Sequence, residues 1–136
     1  MLLWNFKNFK RSEFECNCGC NILDYYENNY LYMVLYFLQP LREDINKPIH
    51  IISGIRCVKH NKAIGGSAYS YHTNNGTNFP FRPTAVDFKV YDLPQYFVAD
   101  RIKENTNLNY CGYKMYIDKE NYCQGHLDFR GYKARW

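Results

Sequence analysis

His72, Asp87, His126 and Asp128 are the residues whose chemical types could act together. Imidazole nitrogen and carboxylate oxygen are donors that zinc takes in hydrolytic sites, where three protein ligands leave a fourth position for water. A metal held that way acidifies its water and polarises a nearby carbonyl. Asp87 sits inside the apolar stretch Ala85-Val86-Asp87-Phe88. An aspartate is disfavoured within a strand and rare in a core unless a partner or a metal uses it. His126 and Asp128 are two apart on a second strand-like stretch and therefore share a face. His72 follows Ser70-Tyr71 in a loop. Each residue also has a plainer explanation: a hydrogen-bonded or surface histidine, or an aspartate on an exposed face or capping a turn. Residue type and spacing leave that choice open.

The six cysteines, at 16, 18, 20, 57, 111 and 123, form a second group. With no secretion signal in view, free thiols are expected rather than disulfides. Cys16-Asn17-Cys18-Gly19-Cys20 is dense enough for three thiolates to join a fourth ligand around a structural zinc. The usual spacing puts two or more residues between paired cysteines, however, and no matching second pair follows. A tight turn with small, partly buried side chains is the expected reading.

The elements that must position these residues can be read from periodicity. From Asp24 to about Asp44 the residues Tyr26, Tyr30, Met33, Val34, Phe37, Leu38 and Leu41 recur at helical steps and mark one buried face. Asp24 is placed to cap this helix, and Pro40 to kink or end it. Ile49-His50-Ile51-Ile52-Ser53 reads as a strand, as does Ala85–Val90. Between them, 54–71 reads as loop with one helical turn, and 74–83 as a polar loop. Pro94 to Asn105 forms a second helix with the proline in its first turn. Tyr113–Ile117 and His126–Arg130 alternate as strands do. The expected fold is α+β: one domain over 1–136, with an irregular N-terminal segment at 1–23. It has a small, mostly antiparallel sheet and about two main helices, and any zinc site would lie on the sheet face.

Composition excludes several classes. At 136 residues, with 46% hydrophobic residues, one core is feasible and disorder is not expected. The net charge of +4 comes without a dense Lys/Arg run or basic residues interleaved with aromatics, so nucleic-acid binding is not supported. No uninterrupted apolar run approaches the length of a membrane span. The start, Met1-Leu2-Leu3-Trp4-Asn5-Phe6-Lys7, lacks a signal-peptide cleavage site, so synthesis in the cytoplasm is expected.

Six short motifs occur in order: Ser53-Gly54-Ile55-Arg56, His60-Asn61, Gly65-Gly66, Ser70-Tyr71-His72, Ala85-Val86-Asp87 and His126-Leu127-Asp128-Phe129-Arg130. Together they resemble the zinc D-alanyl-D-alanine carboxypeptidase family of murein peptidases. That family includes phage endolysins cutting L-alanyl-D-glutamate bonds, and it shares its fold with the zinc domain of hedgehog. Glu13-Phe14-Glu15-Cys16, Cys18-Gly19-Cys20 and the closing Arg135-Trp136 resemble one branch of it. The resemblance implies one zinc per chain, held by His72, Asp87 and His126, with Arg56 stabilising an oxyanion. It implies that Ser70 supports the site loop and contacts substrate. It also implies peptidoglycan peptide stems as the substrate, and a phage or prophage lysin acting as a monomer on the cell wall, after release or as part of a virion.

Two departures from the family pattern bear on the site. Fourteen residues separate His72 from Asp87, against six in the family, so 74–84 reads as an inserted loop at the site mouth. Phe79, Phe81 and Arg82 could there contact substrate, and such a loop costs little. Many relatives also carry an acid three residues before the last histidine, where this chain has Cys123. Asp128 is then the nearest carboxylate, as general base or as a partner orienting His126, with Glu120 a weaker substitute for the base. The missing acid also favours an alternative, a catalytically inactive zinc-containing module that binds wall peptides or another protein.

Overall fold

The apolar residues recurring between Leu23 and Ile45 fold into one helical rod. The computed structural model, which describes residues 3–74, 83–105, 111–116, 122–130 and 134–135, divides this rod into α1 (Leu23–Met33), a π-helical turn (Val34–Leu38) and α2 (Gln39–Ile45). Its buried stripe is Leu23, Tyr30, Leu31, Met33, Val34, Leu38, Leu41 and Ile45. Pro40 does not end the rod. A proline lacks an N–H, and its ring crowds the carbonyl four residues back. The wider turn immediately before α2 relieves both conflicts. Asp24 does not cap α1 either. The cap position is Ile22, and Asp24 already lies in the first turn, with its carboxylate paired to Arg11. Asn46, at φ 52°, closes α2 in the left-handed conformation that asparagine tolerates.

β1 (Ile49–Ser53), β2 (Ala85–Tyr91), β3 (Gly112–Met115), β4 (Tyr122–Asp128) and β5 (Ala134–Arg135) form one sheet in the order β1-β2-β4-β3-β5. All pairs are antiparallel except β3 with β5. The α+β class with a mostly antiparallel sheet is thus present. β4 begins four residues before the expected start and ends two before the expected end. Its first half, Tyr122-Cys123-Gln124-Gly125, holds a glycine that weakens a strand pattern. That glycine is there because a Cβ at Gly125 would meet the Phe88 ring at 2.6 Å and the Met115 sulfur at 2.9 Å. Ile117, expected in β3, lies outside the described residues.

α3 (Val58–Ala63) is a full short helix where one turn was expected, and α4 (Gln95–Asn105) follows Pro94. The carbonyl of Pro94 accepts from Phe97 and Val98 and so starts that helix. Val86, Phe88 and Val90 of β2 point into the core with Val98 and Ile102 of α4, Leu127 of β4 and the stripe of the rod. Tyr30 is fully buried and donates its hydroxyl to the Ala85 carbonyl at 3.0 Å, which ties rod to sheet and satisfies the phenol.

The N-terminal segment is not loose. Trp4, Phe6, Phe9 and Phe14 pack into the same core, and Arg11–Phe14 forms a 3-10 turn. The Phe14 carbonyl accepts from Ile55 N–H at 3.1 Å. A Cβ at Gly54 would lie 2.5 Å from that same carbonyl oxygen, so only glycine allows the two backbones to meet. Among the described residues, no helix is long and apolar enough to cross a membrane.

Candidate metal centre

Strand register assembles the site. Ser53 pairs with Asp87 across β1 and β2, and Asp87 pairs with His126 across β2 and β4. Three polar side chains therefore stand in a row on one face of the sheet, while Val86, Phe88 and Leu127 fill the core on the other. Two loops complete the group. Arg56 follows β1, and His72 follows α3. A backbone bond from Arg56 N–H to the His72 carbonyl, 2.8 Å, stitches the loops together. Ser70 shapes the turn, its hydroxyl accepting from His72 N–H at 3.2 Å.

His72, Asp87 and His126 each present a ligand atom, and these atoms lie within 4.8 Å of one another. Second partners fix both imidazoles. The Gly54 carbonyl lies 2.7 Å from His72 Nδ1. A carbonyl only accepts, so Nδ1 carries the proton and Nε2, 3.3 Å from Asp87 Oδ2, is the unprotonated nitrogen. His126 Nε2 lies 2.7 Å from Asp128 Oδ2, and its Nδ1 lies 2.9 Å from Asp87 Oδ1. The set of two imidazole nitrogens and one carboxylate fits zinc. The bonds from the far ring nitrogens to a carbonyl and a carboxylate are those expected of metal-bound histidines.

Asp128 is fully buried. Arg130 donates Nε to its Oδ1 at 2.8 Å and a terminal nitrogen to its Oδ2 at 2.6 Å. Arg56 is held on three sides. Its Nε donates to Ser53 Oγ at 3.0 Å, and its terminal nitrogens to Asn61 Oδ1 at 3.3 Å and Asp87 Oδ2 at 2.9 Å.

The protonation states follow from this web. Burial opposes the charge on Asp87, but the neighbouring His126 and His72 rings outweigh it and hold its pKa well below the usual carboxylate range. Burial lowers the His72 pKa and outweighs the raising effect of Asp87, so this ring is neutral and ready to donate. Burial works against a charged His126 too, yet the two carboxylates at its two nitrogens raise its pKa. Asp128 is lowered in spite of burial, chiefly by Arg130. Tyr116 is raised by burial and by Asp87, so its hydroxyl keeps its proton.

The centre forms the floor of a cavity of about 470 Å³, lined also by Arg56, Ser70, Tyr71, Tyr116 and Arg130. Of the residues singled out in the sequence, His72, Asp87, His126, Arg56, Asp128 and Ser70 come together. Phe81 and Arg82 lie outside the described residues, as does Glu120. Sequence reasoning missed Tyr71, Tyr116 and Arg130 as cavity residues. Arg130 carried a usable signal, since it lies two after Asp128. Its guanidinium also sits over the Tyr71 ring, 4.4 Å from the centroid, a cation–π contact between two residues of the cavity lining.

A family model described as Peptidase M15 matches residues 7–119, a span that takes in Arg56, His72 and Asp87 and ends before His126. No curated protein matches the chain.

Proposed function

The chain belongs to the peptidase M15 family, and we propose that it is a zinc-dependent peptidase cutting the peptide stems of bacterial peptidoglycan, as a phage or prophage lysin. The observation that carries this reading is that ligand atoms of His72, Asp87 and His126 lie within 4.8 Å of one another in the lining of the cavity. Zinc bound there would supply an acidified water and polarise the scissile carbonyl.

The chain's own residues do the rest. Arg56, immobilised by Ser53, Asn61 and Asp87, holds a positive charge at the cavity wall, where negative charge develops on the carbonyl oxygen. Tyr116, kept protonated, donates a hydrogen bond to the reacting peptide. Asp128 acts as a positioning residue: it is buried, and Arg130 and His126 occupy its oxygens. It fixes the His126 ring and does not serve as the base. Ser70 supports the His72 loop at the cavity edge.

One observation favours the second reading, a zinc-holding module that binds wall peptides without cutting them. Among the described cavity residues the sole carboxylate is Asp87, itself a proposed ligand. Zinc content and peptide release from purified peptidoglycan, compared between wild type and His126→Ala, decide the matter. Loss of one zinc equivalent together with release is the expected result. Zinc bound by wild type with no release would select the binding module. Zinc content unchanged by His126→Ala would sink the site.

A further inference from the structure

Beyond that reading and independent of its ligands, we propose that Cys16, Cys18, Cys20 and Cys57 form a second metal site, a four-thiolate structural zinc that clamps the N-terminal segment to the loop carrying Arg56. The four sulfur atoms lie within 4.8 Å of one another. Cys16 Sγ is 3.4 Å from Cys18 Sγ and 3.9 Å from Cys57 Sγ, and Cys18 and Cys57 are 3.7 Å apart. A zinc–sulfur bond of about 2.3 Å makes a regular tetrahedron with edges of about 3.8 Å. The observed separations fall around that edge length. A disulfide needs about 2.0 Å, and none of these four cysteines forms one.

The backbone explains how so short a spacing gives three ligands. Gly19 N–H closes a turn on the Cys16 carbonyl at 2.9 Å, and Gly19 sits at φ +84°, a left-handed conformation that glycine adopts freely. The turn brings the sulfurs of Cys16, Cys18 and Cys20 to one side. The fourth ligand arrives from a distant part of the chain, directly after Arg56.

The surroundings suit thiolates. Cys57 N–H points at Cys16 Sγ at 3.5 Å, and His60 N–H at Cys57 Sγ at 3.3 Å. Soft sulfur donors in a tetrahedron select zinc. Cys18 is exposed, which leaves the metal a way in.

The consequence is mechanical. The clamp fixes Cys57, whose neighbour Arg56 grips Asp87, and it reinforces the contact of Phe14 with Gly54 and Ile55. The Gly54 carbonyl in turn orients His72.

The test is elemental analysis, with cobalt substitution, on wild type, His126→Ala and Cys18→Ser/Cys57→Ser. Two zinc ions per chain are expected in wild type and one in each variant. Cobalt-loaded wild type and His126→Ala should both show an intense sulfur-to-cobalt charge-transfer band, and the cysteine variant should lose it. Equal zinc in wild type and the cysteine variant would overturn the proposal, as would cobalt-loaded wild type without that band. The wild-type spectrum needs no substitution, so a cysteine variant that failed to fold would not spoil the test. Failure of the histidine centre alone would instead leave zinc unchanged in His126→Ala with the band intact.

Discussion

The histidine centre and the cysteine cluster gather ligands in opposite ways. The first is built by the sheet. Asp87 and His126 face each other through strand register, and loops bring His72 and Arg56 to them. The second is built by a turn in a segment with almost no regular structure, closed by one distant residue. Donor number separates their roles. Three mixed donors under a cavity would leave a bound metal a coordination position for chemistry, whereas four sulfurs would fill the tetrahedron and leave none. Rigid scaffolding is needed where geometry must be kept while a substrate reacts. The cluster works the other way: its metal would crosslink a segment that has little regular structure of its own.

The largest expected effect breaks this contrast at its root. Cys18→Ser/Cys57→Ser should lower stability on the order of 4 kcal/mol, read as a drop in the denaturant midpoint, and chelation should do the same to wild type. If chelation stops turnover while the midpoint stays in place, the cysteines hold no structural metal.

Asp128→Asn should weaken metal binding at the histidine centre alone, by about 10- to 100-fold. The measurement is zinc affinity together with the cobalt sulfur band, which should not change. An unchanged affinity would mean that the 2.7 Å contact to His126 does not orient the ring.

Gly54→Ala tests the bridge between the two regions. The new methyl would meet Phe14 backbone atoms at 2.5–2.9 Å, and backbone cannot swing aside. The expected cost is about 1–3 kcal/mol, with a fall in peptide release.

The smallest effect concerns pH. His126 has a raised pKa in the metal-free protein, so its Nδ1 must shed a proton before it can bind. Metal affinity at this centre should therefore fall as pH drops below that pKa, by about tenfold per unit for one proton. His72 is lowered and already neutral, and adds no further competition. The cysteine cluster, with several thiol protons to displace, should lose metal more steeply. Equal slopes for the two sites would undo the distinction.

Local pattern carried much of this. The helical steps from Tyr26 to Leu41 marked the rod, and an aspartate inside Ala85–Phe88 marked an unusual strand. The start of β4 was hidden because Gly125 answers to the Phe88 ring across the sheet and not to its own neighbours. The cap role of Asp24 failed because Arg11, thirteen residues away, takes its carboxylate.

The sequence alone determined which donors exist and which share a strand face, because a side chain's type and the two-residue alternation of a strand are local properties. It could also order six motifs into a family resemblance. Only the tertiary structure decided that Cys57 completes the cysteine turn, that His72 presents Nε2, and that Asp128 is sealed between Arg130 and His126. Each of these depends on burial and on contacts between distant segments, and those exist only once the N-terminal segment, the Arg56 loop and the sheet have packed together.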